Sequence, residues 1–219
     1  MQVLTKDQID PSRILPPPSA DGTDAQQKEL KEEANLVHTR SGERFKQAKW
    51  DNTTENPLAF AGVISPDFDL AKLPQTQKLL AMVVNDAGIA ASGAKVFFGR
   101  KAPAVAANAS DLKDWSCDVN DKPLKDRAGR ADPSGHVTMA YSVGTVLAYL
   151  MPEKSQAILA RASDYSYSRE VRGDHYHSDI EAGHALGSVI GTLMIGSDAA
   201  RAQMAAAKQE LQAAHLTSE

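Results

Sequence analysis

The feature that most limits what this chain can fold into is a succession of helix-patterned blocks across its second half. They cover residues 135–151, 153–171 and 177–195, then 198 to about 214. Alanine is abundant and β-branched alternation is scarce, so helix is favoured over sheet along most of the chain. The reading is an all-α protein, a compact helical bundle. Earlier segments agree. Asp24 is placed to cap a charged helix running to about Trp50, with Leu30, Ala34, Val37 and Phe45 facing inward. A short apolar helix is expected over 57–64, stopped by Ser65-Pro66, and Pro74 suits the first turn of a long helix toward Phe98.

Two stretches lack this patterning. Residues 1–23, with Pro11 and Leu15-Pro16-Pro17-Pro18, read as an extended proline-rich arm. Residues 99–134 carry Pro103, Pro123, Pro133, Gly129 and many charges with no sustained period. A loop of that length in a compact protein is usually functional or flexible. The chain divides into the arm, 1–23, and one α-helical domain, 24–219.

Charge and composition remove several classes of function. A net charge of −4 and a pI near 5.9 argue against nucleic acid as a partner. The one cysteine, Cys117, permits neither an intrachain disulfide nor a multi-cysteine metal site. The nearly apolar run from Val137 to Met151 is shorter than the roughly 18–20 residues that cross a bilayer, so a core helix and no membrane span are expected. The chain opens Met-Gln-Val-Leu-Thr-Lys, without the apolar core of a signal peptide.

Two short motifs carry the chemistry. Pro133-Ser134-Gly135-His136 stands where the long loop enters a helix. Helix N-termini present unpaired N–H groups and a positive dipole end, suited to a phosphate oxygen. Ser134 adds a hydroxyl, Gly135 lets the backbone come close, and His136 is placed to protonate a leaving alkoxide. Alone, Pro-Ser-Gly is also an ordinary turn and cap. Further on, Ser168-Arg169 ends a helix, Gly173 breaks it, and His175 and Asp179 follow four residues apart. Asp179 can orient one imidazole nitrogen and leave the other free as a nucleophile, while Arg169 offers a planar fork to two phosphate oxygens. A surface His–Asp pair with a solvated arginine is the plainer alternative.

Taken together, Pro133-Ser134-Gly135-His136 and Ser168-Arg169-x5-His175-x3-Asp179 resemble the signature of the type 2 phosphatidic acid phosphatase superfamily. That group includes vanadium haloperoxidases and the bacterial class A non-specific acid phosphatases. Eight positions match, each costing on the order of twentyfold at average residue usage. The similarity to class A acid phosphatases extends to the Leu15-Pro16-Pro17-Pro18 arm, Ala59-Phe60-Ala61-Gly62 and Asn85-Asp86-Ala87-Gly88. It implies an exported, periplasmic or secreted, α-helical enzyme that hydrolyses phosphate monoesters without a metal or other cofactor. Phosphate and vanadate are expected inhibitors, and a homo-oligomer is expected. By position, His175 becomes the nucleophile that forms a phosphohistidine, Asp179 its orienting carboxylate and His136 the general acid. Lys95, Ser134, Gly135 and Arg169 become the phosphate cradle.

The resemblance fails at one position. The family's first motif is Lys-x6-Arg-Pro, and here Lys95 is followed by Ala102-Pro103. A missing charged donor in a dry site costs a few kcal/mol of transition-state stabilisation, on the order of a hundredfold in rate. Arg100, Lys101, Arg127 and Arg130 are the candidate substitutes. Asp174, beside the expected nucleophile, is read as a rim partner of Arg172. The alternatives are a phosphotransferase to nucleosides, a vanadate-dependent haloperoxidase, and a phosphate-binding protein weakened by Ala102. His175-x-His177-x-Asp179 also fits the opening of a metallo-hydrolase site, which would need further ligands. His184 is read as a hydrogen-bonded core histidine, and His177 as a rim residue.

Overall fold

The computed structural model describes residues 1–108, 115 and 129–218. Its described elements are all helical. In chain order they are α1 (Pro11–Ile14), α2 (Asp24–Thr39), α3 (Gly42–Thr53), α4 (Ala61–Ile64), α5 (Pro74–Phe98), α6 (Pro103–Ala106), α7 (Gly135–Leu150), α8 (Ser155–Val171), α9 (His177–Gly196) and α10 (Asp198–Ala213). One-turn 3-10 segments precede α4, α5 and α8.

The centre of the molecule is α7, which buries Val137, Met139, Ala140, Val143, Val146, Leu147 and Leu150. It packs against α5, α8 and α9. Burial on several sides explains the near-continuous apolar run of its sequence. The α7–α9 contact is unusually close, because α9 carries Gly183, Gly187 and Gly191 at every fourth position. A Cβ at Gly183 would sit 2.8 Å from the Ser134 carbonyl oxygen, and one at Gly187 would sit 2.6 Å from that of Thr138. At Gly191 it would meet Thr145 Cβ at 2.6 Å. Stacked one above another on a single face, the three glycines let the two backbones touch. This ridge brings the Pro133–His136 segment against the start of α9.

The charged segment expected as a single helix to Trp50 is two helices. The chain turns at Arg40, and Ser41 caps α3 by accepting the Arg44 N–H at 3.1 Å. Arg40 leaves the helix because its guanidinium bonds the carbonyls of Val171 and Trp115. Tertiary contacts outweigh propensity there. The expected arm is likewise more structured than its prolines suggest. It contains the single turn α1, and it buries Leu4, Ile9 and Leu15 in the core. Asp86 on α5 anchors it by accepting the backbone N–H groups of Gln2, Val3 (3.0 Å) and Leu4 (2.8 Å).

Helix α5 lies in Pro74–Ala106, a segment long and apolar enough to cross a membrane by length and composition. In this fold it buries Leu79, Leu80, Val83, Ala87, Ala90 and Ala94. It ends at Gly99, whose φ of 63° is the left-handed conformation glycine adopts at a helix C-terminus.

Candidate active site

Ser134 is the residue preceding α7 and is fully buried. Its N–H donates to the Asp179 carbonyl at 3.0 Å, which joins the two sequence motifs directly. Its Oγ has no hydrogen-bond partner among the described residues. Gly135 opens the helix, and a Cβ there would lie 3.8 Å from Lys95 Cε. The lysine side chain therefore passes beside the start of α7. Its ammonium donates to the carbonyls of Arg130 and Ala131.

His136 is in the first turn of α7. Its Nδ1 is 3.4 Å from Glu55, its Nε2 is 3.5 Å from the Asn52 carbonyl, and its ring stacks on Tyr165 at 6.2 Å. One ring edge stays accessible, with 17% of the side chain exposed. A proton donor to a leaving group needs such an edge.

The C-terminal end of α8 and the approach to α9 supply the rest. Gly173 makes the turn with φ 77°, and a Cβ there would press on Trp115 and Val37, each 3.0 Å away. His175 precedes α9 rather than lying in it, so its relation to Asp179 is not the helical four-residue spacing. Asp179 is the third residue of α9 and reaches back, accepting the Tyr176 N–H through Oδ2 at 2.9 Å. The same Oδ2 is 3.5 Å from His175 Nδ1, at the long limit for a hydrogen bond. Nδ1 facing Asp179 leaves Nε2 as the nitrogen available for attack.

Arg169 is 4% exposed. Nη1 donates to Asn52 Oδ1 at 2.7 Å, Nη2 pairs with Asp174 at 2.7 Å, and Nε has no partner among the described residues. Asp174 also accepts from Arg172 Nε at 2.8 Å. The Arg172 pairing was expected, but its place at the rim is corrected. Asp174 is 3% and Arg172 1% exposed, since the close turn at Gly173 folds both inward.

Electrostatics follow from burial of a mixed cluster. Burial pushes His175 down to about 4, helped by the Lys95 and Arg169 charges and opposed by Asp179. Burial lowers Lys95 to about 8, with Asp179 and Asp132 pulling the other way. Burial and the Asp179 charge raise Asp132 to about 7. His136 is held well below its usual range, by burial and then by Arg169. The charges of these groups act on one another, so they form one buried cluster.

A family profile described as the PAP2 superfamily matches residues 76–202, more than half of the chain. The chain belongs to the PAP2 superfamily. Among individual proteins it is similar to an acid phosphatase from Zymomonas mobilis, 27% identical over 95% of this chain and 78% of that protein. It is 27% identical to a non-specific acid phosphatase from Salmonella typhimurium, over 80% of this chain and 69% of the relative. A non-specific acid phosphatase from Providencia stuartii is 28% identical over 82% and 72%.

The PAP2 match spans Lys95 through Asp179 and leaves out α2 and α3. Yet Asn52 and Glu55, at and beyond the end of α3, touch Arg169 and His136, and Glu29 of α2 bonds the Ser178 N–H at 3.1 Å. Sequence reasoning missed all three, because no motif marks a partner more than eighty residues away. Of the candidate substitute cations, Arg100 lies beneath Asp179. Its Nη1 donates to Asp179 Oδ1 at 2.6 Å and to Ser178 Oγ at 2.7 Å, and its Nη2 to Glu29 at 2.7 Å. Lys101 is half exposed and paired with Asp21 at 2.9 Å. Arg130 meets the site through its carbonyl, and Arg127 lies outside the described residues. His177 turns away to Glu170 at 3.1 Å, and His184 stacks on Tyr141 at 3.8 Å.

Proposed function

We propose that this PAP2 protein is an acid phosphatase that hydrolyses phosphate monoesters in two steps through a phosphohistidine. The observation that carries the reading is a pair of buried donors, Ser134 Oγ and Arg169 Nε, that find no partner among the described residues, in the same cluster as His175 and Lys95. Unpaired buried donors are costly and call for an oxygen-rich guest. The names of the similar proteins support the same activity.

His175 Nε2 attacks phosphorus while the bond to the leaving oxygen breaks, and His136 hands that oxygen a proton. Lys95, Ser134, the Gly135 N–H and Arg169 hold the equatorial oxygens. Water then attacks the phosphohistidine, His136 takes its proton, and phosphate leaves. No step needs a metal, so chelators are expected to leave the rate unchanged. Burial lowers both imidazoles, and Arg169 lowers them further, so in this reading His136 takes the proton it donates from elsewhere. A monoester holds its second proton below about pH 6 and delivers it on binding, which suits acidic conditions.

A weaker catalyst is the second reading, favoured by the buried Ala102 and by Asp174 on Arg169. Hydrolysis of p-nitrophenyl phosphate, beside a His175→Ala control, decides. Turnover lost in the control supports the enzyme. Phosphate binding without turnover in the wild type supports the binder.

A further inference from the structure

We propose that Arg100 is a positioning residue that holds the Asp179 carboxylate and thereby keeps His175 uncharged in acid, the state in which it can attack. The inference rests on the phosphatase reading for its use, but its geometry stands apart from it. Asp179 has two oxygens with different tasks. Oδ1 accepts from Arg100 at 2.6 Å, while Oδ2 accepts the Tyr176 N–H and lies 3.5 Å from His175. The arginine is itself fixed. Glu29 holds Nη2 at 2.7 Å, Ser178 Oγ accepts from Nη1, and the guanidinium carbon lies over the Tyr176 ring, 4.0 Å from its centre. Its side chain is 2% exposed and that of Asp179 fully buried, so little solvent screens the pair.

A carboxylate held alone against an imidazole raises its basicity, commonly by one to three units at close range. Here Arg100 neutralises much of that charge. Among the described residues, the other groups facing His175 include Lys95 of α5, Arg169 of α8 and His136 of α7. Those facing Asp179 include Lys95, Asp132 and Glu33. Lys95 and Arg169 depress His175 from the phosphate side, and Arg100 acts from behind through Asp179. Glu29 ties this device to α2, outside the PAP2 match.

The test is the titration of the His175 Cε1–H resonance in the full chain, assigned by its loss in His175→Ala. In Arg100→Gln the midpoint is expected to rise by about one unit or more. The acidic limb of kcat/KM for p-nitrophenyl phosphate should rise with it. Arg100→Lys keeps the charge and should stay near wild type. Glu29→Gln removes an anion and should move the midpoint slightly down. Should Arg100→Gln not fold, the Lys and Glu29 variants decide. Unchanged midpoints in Arg100→Gln, or an upward shift in Glu29→Gln, overturn the proposal. A wild type without turnover defeats the phosphatase reading, while the titration still judges Arg100.

Discussion

Replacing Gly187 with alanine tests how the glycine ridge builds the site. The added Cβ would lie 2.6 Å from the Thr138 carbonyl oxygen, 2.9 Å from Tyr141 Cβ and 3.1 Å from the Ser142 nitrogen. Close C–H···O contacts settle near 3.3–3.6 Å, so α7 and α9 must separate by about 0.7 Å. Two of the three atoms are backbone, which no rotamer change relieves. Overpacking of this kind costs about 3 kcal/mol at its upper range. Alanine's helix propensity returns about 1 kcal/mol, leaving a net loss of about 2 kcal/mol. The activity effect should be sharper. The Ser134 N–H···O=C bond to Asp179 spans the same interface at 3.0 Å, and a shift of about 1 Å in a catalytic group can cost a hundredfold. Urea unfolding and kcat/KM on p-nitrophenyl phosphate measure both. Gly93→Ala on α5, where a Cβ meets nothing within 4 Å, is the control and should gain up to about 1 kcal/mol. A Gly187→Ala protein as stable and active as wild type would refute the close-contact account.

Other outcomes follow from the charges. Neutral His175 attacks, so kcat/KM should fall as pH drops through about 4; it should fall above about 6 as the monoester loses the proton it delivers, and again through about 8 as Lys95 loses its charge. A profile with no fall through about 4, or none through about 8, contradicts the role given to that residue. Asp174→Asn should destabilise by about 3 kcal/mol, because it removes a buried carboxylate charge that Arg169 and Arg172 share. It should also tighten inhibition by inorganic phosphate by releasing Arg169, and weaker inhibition in a folded variant would count against that pairing.

Much of the helical order was legible in the chain, because α7 to α10 follow apolar periods with clear breaks at Pro152, Gly173 and Ser197. The motif residues stand out through their spacing, and the structure brings Ser134 and His175 against Asp179, while the roles given to them are proposals. What stayed hidden depends on contacts distant in sequence. The break at Arg40 exists because its guanidinium finds the carbonyls of Val171 and Trp115, which no local pattern encodes. Arg100 was one of four candidate substitutes for the missing arginine, and its pairing with Glu29 and Asp179 could not be read from its place beside Ala102. Asp174 sits inside because two arginines accompany it. One overlooked signal was present: Gly183, Gly187 and Gly191 recur every four residues, the interval that lines one face of a helix.

The most direct test of the central claim is to trap the phosphorylated protein. Mixing wild type with p-nitrophenyl phosphate, quenching in alkaline denaturant and mapping phosphopeptides by mass spectrometry should place one phosphoryl group on His175. None should appear in His175→Ala. Steady turnover with no phosphorylated residue, or with the phosphoryl group on another side chain, would contradict the account.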